Sequence, residues 1–195
     1  MLMSPGQAES PLTKRVHDWQ PVEFIPLDEP TAYKQLDAYF ERTYREALCE
    51  AAGIDDEALI DALIDAGFSP ETIPALQLVP IAFAAWASGS VTDEECQAAV
   101  WSIYESRLLE QPVAASRVQN WIDVRPGQEL WDLWVEYTEC RLLKMPPIIR
   151  QLVGKQLLEQ ATAVALASGG YFGIGKVCAA EQTILDAIAE IYRIE

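Results

Sequence analysis

This chain contains few of the histidine and cysteine residues that commonly act as nucleophiles, general bases or metal ligands. It has a single histidine, His17, which lies in a proline-rich segment, so a Ser–His or Cys–His nucleophilic arrangement is not expected. The four cysteines are 38 to 47 residues apart, whereas zinc sites usually place two ligands within a few residues of each other. The sequence therefore predicts a non-enzymatic protein without a zinc site.

Carboxylates are the most abundant reactive groups, and they cluster. Residues 55–110 hold eleven acidic side chains and one basic side chain, in a chain whose net charge is -16. Asp61 and Asp65 are one helical turn apart, and Asp93 and Glu94 open a second helix. Solvent-exposed helix faces and helix caps account for many of the carboxylates in such a segment. The functional interpretation is that the segment is a docking face for a basic protein partner. A divalent-cation site with Asp61 and Asp65 as ligands is the alternative, and no other cofactor is predicted.

A glycine-rich segment, Gly170-Tyr-Phe-Gly-Ile-Gly175-Lys176, has the spacing of the first part of a phosphate-binding loop. That loop follows a strand and ends in Ser or Thr, whereas a predicted helix precedes this segment and Val177 follows it. A turn between two helices is therefore the expected structure. Tyr171 and Phe172 in this turn are candidates for contact with a partner or ligand.

A modest basic stretch, residues 141–155, surrounds Pro146 and Pro147. We expect it to form ion pairs with the acidic segment, either within the chain or in a neighbouring subunit. The second arrangement would make the protein a homo-oligomer. The overall acidic balance argues against nucleic acid and against an anionic membrane surface as partners. The longest apolar run, residues 78–87, is also too short for membrane insertion.

The compartment is suggested by the first residues and the cysteines. The chain begins without the basic segment and apolar segment of a secretory signal. We therefore expect a cytoplasmic protein with four reduced and mostly buried thiols.

The elements that position these residues are predicted to be helices. Residues 1–30 contain five of the twelve prolines and are expected to form an extended or partly disordered arm. Residues 31–195 are expected to form one all-helical domain, because no segment alternates as a strand would. Asp55 is the expected N-cap of a short second helix, Gly53 and Gly67 end helices, and residues 32–52 carry one apolar stripe. The predicted helices cover 32–52, 57–66, a broken segment 70–88, 92–109, 113–122, 128–144, 147–168 and 179–193, a compact bundle of about seven or eight.

One pattern occurs twice along the chain. Residues 87–95 read Ala-Ser-Gly-Ser-Val-Thr-Asp-Glu-Glu, and residues 167–181 contain Ala-Ser-Gly-Gly, six further residues and Val-Cys-Ala-Ala-Glu. In each copy a glycine ends one helix, and a capping residue with Glu three positions later starts the next. We expect two tight helix–turn–helix corners and a duplicated helical pair, with chance recurrence of capping residues as the alternative.

These corners resemble the Ala-Asp-Gly-x-Val-(Ser/Thr)-x-x-Glu corner of the tellurite-resistance TerB-like proteins, over roughly residues 70–193. The resemblance implies a compact bundle in a bacterial cytoplasmic protein associated with stress responses, and some members have acidic residues proposed to bind metal. This chain has Ser88 and Ser168 at the family's Asp positions, and Cys178 at the second capping position. The prediction is therefore an interaction protein acting through its acidic face, with a small-molecule or divalent-metal-binding domain, its site between the corners, as the alternative.

Overall fold

The computed structural model of the chain describes residues 29–167 and 177–194. These residues form eight α-helices and two short 3-10 helices and contain no strand, which confirms the predicted all-α bundle. The 3-10 helices are Ile73–Leu78 and Leu108–Glu110. The α-helices are α1 (Glu29–Ala52), α2 (Glu57–Asp65), α3 (Val79–Trp86), α4 (Asp93–Glu105), α5 (Pro112–Asp123), α6 (Gln128–Leu143), α7 (Pro147–Ala167) and α8 (Ala179–Tyr192).

The chain divides into two compact units, residues 1–40 and residues 41–195. Residues 1–28 of the predicted arm lie outside the described residues. On the predicted stripe of α1, Leu48 is fully buried, and Tyr44 is exposed although its hydroxyl donates to the Phe68 carbonyl at 2.9 Å. The other large apolar residues of this stripe are exposed, namely Tyr33, Leu36, Tyr39 and Phe40.

The helix ends follow the predicted signals with one correction. Gly53 and Gly67 take φ values of +68° and +72°, the left-handed conformation with which glycine ends a helix. The N-cap of α2 is Asp56, whose carboxylate accepts from the backbone N–H of Leu59 at 3.0 Å, so the prediction of Asp55 as the cap was wrong by one residue. Asp55 instead accepts a hydrogen bond from Lys144 at 2.6 Å, which shows that the basic stretch pairs with the acidic segment within the chain.

The core surrounds α3, as its nearly uniform apolar sequence predicts. This helix contacts each of α4 to α8, and Ile81, Ala82 and Ala85 are fully buried. The residues ahead of it form a 3-10 helix rather than one continuous rod, because Pro74 and Pro80 each prevent a regular helical hydrogen bond. The bundle is therefore built around a helix without a polar face.

Both predicted corners contain complete capping boxes. Thr92 opens α4 and Cys178 opens α8 with nearly the same extended backbone, at ψ values of 167° and 166°. Each capping side chain accepts a hydrogen bond from the backbone N–H three residues later. In return, the carboxylates of Glu95 and Glu181 accept hydrogen bonds from the backbone N–H groups of Thr92 and Cys178. Both glutamates are buried, so each corner places one carboxylate inside the bundle.

The large aromatic residues are divided between the core and the surface, and the prediction of mostly buried thiols was wrong. Trp121, Trp134 and Tyr137 are buried in the core, whereas Trp101 and Tyr104 on α4 are exposed with their rings 5.0 Å apart. The four cysteines are free thiols, of which three are half-buried, but Cys178 is exposed. No described helix is both long enough and apolar enough to cross a membrane.

Candidate partner-binding groove

The first two candidate carboxylates have different surroundings although both lie on α2. Asp61 accepts a hydrogen bond from the guanidinium of Arg45 in α1. This bond, aided by the attraction between the two charges, holds the pKa of Asp61 below its ordinary value. Asp65, one turn later, is exposed at the end of the helix. Both carboxylates are therefore exposed, but Asp61 is paired with Arg45 within the chain.

The remaining candidates do not join this pair on one element. Asp93 and Glu94 are exposed in the first turn of α4, where the helix dipole favours negative charge. That helix packs against α3, α5 and α7, whereas α2 packs against α6. Tyr171 and Phe172 lie outside the described residues. The predicted acidic face is thus divided between separate helices.

A row of carboxylates on α6 extends the acidic surface beside α2. Glu129, Asp132, Glu136 and Glu139 are all exposed, and their spacing of three, four and three residues places them along one side of a helix. This row was not predicted, because residues 111–195 are nearly balanced in total charge. Its signal is the helical spacing within residues 128–143 rather than the composition of a segment.

An open groove with a volume of about 660 Å³ lies between the end of α2, α5 and α6. We call it the α2–α6 groove. Its apolar surface includes Trp121, Leu133 and the exposed side chain of Val124, and Arg117 and Arg125 are its two basic residues. Its carboxylates are Asp65, Glu129, Asp132 and Glu136. Four carboxylates and two arginines therefore line an apolar floor, so the groove is acidic on balance.

Arg117 holds the wall of this groove in place. Its guanidinium donates to the backbone carbonyls of Gly67 at 2.6 Å and Ala66 at 2.8 Å, the two residues that follow α2. It also lies 4.0 Å from the centroid of the Phe68 ring. Burial lowers the pKa of Arg117. Both acceptors are neutral carbonyls, so Arg117 keeps its positive charge and partly offsets the groove carboxylates.

The described residues offer little support for the metal interpretation of α2. They contain no group of three or more His, Cys, Asp or Glu side chains that could hold a metal ion. One isolated feature is Glu95, which is fully buried and whose Oε1 has no hydrogen-bond partner within residues 29–167 and 177–194. That carboxylate belongs to the α3–α4 corner and not to the Asp61–Asp65 pair.

The chain matches no family model, no curated protein and no solved structure. The TerB-like resemblance stays a prediction that rests on the two corners.

Proposed function

We propose that this chain is a non-enzymatic interaction protein of the TerB-like kind, and that its α2–α6 groove binds a basic amphipathic segment of a protein partner. The observation that supports this most strongly is an apolar floor lined by four carboxylates, three of them in a row on α6 and one at the end of α2. Carboxylates select positive side chains and steer their approach, while exposed apolar surface provides affinity. A basic amphipathic helix combines both properties and is a common occupant of apolar grooves.

The position of the α2–α6 groove also changes which acidic residues are assigned to partner binding. Asp61 is paired with Arg45, and Asp93 and Glu94 lie on another helix. Asp65, Glu129 and Asp132 are exposed around one concavity. The proposed acidic face is therefore formed by α2 and α6 together rather than by residues 55–110 alone.

Affinity capture from the native lysate with matched variants tests this proposal. The groove variant combines Asp65→Asn, Glu129→Gln and Asp132→Asn, and the control variant removes the same charge with Asp93→Asn, Glu94→Gln and Glu110→Gln. We expect a basic partner that is retained by the wild type and the control at low salt, but lost from the groove variant and at high salt. A partner that is lost equally from both variants, or from neither, would contradict the proposal.

The second candidate function is divalent-metal binding at the corners, and Glu95 is the observation that favours it. A buried carboxylate oxygen without a partner is costly, and a cation would satisfy it. Calcium or magnesium titration with thermal melting provides the test. This candidate predicts a higher melting temperature with metal, lost in Glu95→Gln and retained in Asp61→Asn with Asp65→Asn, whereas no shift in the wild type rejects it.

A further inference from the structure

The turn between α6 and α7 exposes an unusual amount of aliphatic surface. Five aliphatic residues within eleven positions are exposed, and the largest exposed fractions are 85% for Leu143, 75% for Ile148 and 64% for Leu152. Ile148 and Leu152 are one turn apart on α7, so they lie on the same side of that helix. Exposed apolar surface of this size within a short segment is typical of interaction sites. We call it the corner patch; it consists of Leu143, Ile148, Ile149, Leu152 and Val153.

The charge around the corner patch is opposite to that of the whole chain. Residues 141–158 contain four basic side chains and no acidic one. Arg150 donates to the carbonyl of Leu142 at 2.6 Å and so fastens the turn, and Lys144 is bonded to Asp55. Arg141 and Lys155 are exposed. A partner surface that fits the corner patch must therefore combine apolar and negative groups.

Such a surface adjoins the corner patch on the same molecule. An open groove of about 890 Å³, which we call the corner groove, is lined by residues of α2, α6, α7 and α8. Its apolar lining includes Leu59 and Ile191, and it shares Leu143 with the corner patch. It carries two arginines, Arg150 and Arg193, and four carboxylates, Asp56, Glu136, Glu139 and Glu190.

We propose that the corner patch of one copy of this chain packs into the corner groove of a second copy, and the reverse, so that the protein is a two-fold symmetric dimer. A two-fold interface uses the same surface on both subunits, so each surface must contain both complementary halves side by side. The corner patch and corner groove meet this requirement, because the corner patch is aliphatic and lies in a basic stretch, whereas the corner groove is apolar with four carboxylates against two arginines.

A second copy fits this surface better than a bilayer does. Anionic lipid would attract Arg141 and Lys155, but it would also be brought against Glu139 and Glu190 beside the corner patch. In a dimer the same carboxylates face the basic side chains of the partner. The proposal is separate from the function of the α2–α6 groove, with which the corner groove shares only Glu136 among its carboxylates.

Sedimentation equilibrium of the full chain over a range of concentrations tests the proposal. The wild type should approach the mass of two chains, and Ile148→Asp with Leu152→Asp should have the mass of one chain at every concentration. The control, Leu109→Asp with Val113→Asp, places the same charges on aliphatic residues that are 58% and 54% exposed elsewhere, and it should dimerise like the wild type. Far-UV circular dichroism checks that both variants remain folded.

A milder variant tests the charge complementarity without altering the corner patch. Glu139→Gln with Glu190→Gln should weaken dimerisation about tenfold or more and reduce its dependence on salt. Three results would overturn the proposal: a monomeric wild type throughout, dimerisation that both aspartate variants retain, or a monomer that binds vesicles containing anionic lipid through Ile148 and Leu152.

Discussion

The first turn of α8 is capped more weakly than the first turn of α4. Thr92 Oγ1 accepts from the backbone N–H of Glu95 at 3.2 Å, whereas Cys178 Sγ accepts from the backbone N–H of Glu181 at 3.5 Å. Sulfur is a weak acceptor, and Ser is among the best capping residues. The same box is thus built twice with caps of unequal quality.

We therefore expect Cys178→Ser to raise the free energy of unfolding by about 0.5–1 kcal/mol, because a hydroxyl accepts the N–H more strongly. The converse change, Thr92→Cys, should lower it by a similar amount. Urea denaturation of both variants provides the measurement. If the two changes had the same sign, capping strength would not be what distinguishes the corners.

A buried tyrosine gives the molecule a dependence on alkaline pH. Burial raises the pKa of Tyr192 from 10.0 to about 12, because the charged form loses its hydration. The unfolded chain ionises this group first, so the stabilising effect is complete below about pH 10 and is lost as pH rises through the folded pKa. The loss approaches about 3 kcal/mol.

Tyr192→Phe should reduce this alkaline loss in unfolding experiments above pH 10. Some loss should remain, because burial also raises the pKa of Tyr137. The exposed Tyr104→Phe serves as a control for the loss of a surface hydroxyl. Equal slopes in the wild type and Tyr192→Phe would show that Tyr192 ionises alike in the folded and unfolded chains.

At the scale of the elements, α2 depends on a side chain from another helix. Arg117 of α5 donates to two carbonyls at the end of α2 and covers Phe68. Arg117→Met should keep part of the packing but lose both charged hydrogen bonds, lowering the free energy of unfolding by about 2–4 kcal/mol. The exposed Arg125→Met, in the same groove, should change it by less than about 0.5 kcal/mol.

Hydrogen exchange separates a local role of Arg117 from a general one. In Arg117→Met the amides of α2 should lose protection before those of α3, because the lost bonds hold the end of α2. A uniform loss of protection over both helices would contradict a local role of Arg117 at the end of α2.

The sequence predicts the helices well because their ends are marked by local chemistry. Gly53, Gly67 and the Thr92 box act within a few residues, and the structure contains all three signals where they were expected. The shift from Asp55 to Asp56 is local, because the N-cap is the residue directly before the first helical residue, Glu57. The bond between Lys144 and Asp55, which are 89 positions apart, is a separate contact. The sequence does not show that Asp55 has a partner so far along the chain.

The same limit applies to the α2–α6 groove. Asp65 was a candidate on α2, but Glu129 and Asp132 were not, because their importance depends on α6 lying beside α2. Charge counted by segment cannot show such a pairing of helices. Trp101 and Tyr104 are exposed because the neighbouring helices cover the other side of α4. The sequence of α4 alone does not show which side is covered.

At the scale of the whole molecule, acidic and basic side chains are concentrated on different surfaces of the helical bundle. The α2–α6 groove is acidic, and the corner patch lies in a basic stretch beside a second acidic groove. Dimerisation through the corner patch would cover the basic stretch and leave Asp65, Glu129 and Asp132 exposed. The dimer would then present two acidic grooves, which would raise its avidity for a partner with repeated basic segments.

Nuclear magnetic resonance titration with a synthetic helix-forming peptide of Lys and Leu tests the central claim most directly. At low salt, we predict saturable shifts in the amides of α2 and α6 beside the groove, with about tenfold weaker binding to Asp65→Asn with Glu129→Gln and Asp132→Asn. Shifts centred on Asp93 and Glu94, or unchanged affinity in that variant, would contradict the assignment of the α2–α6 groove as the partner-binding surface.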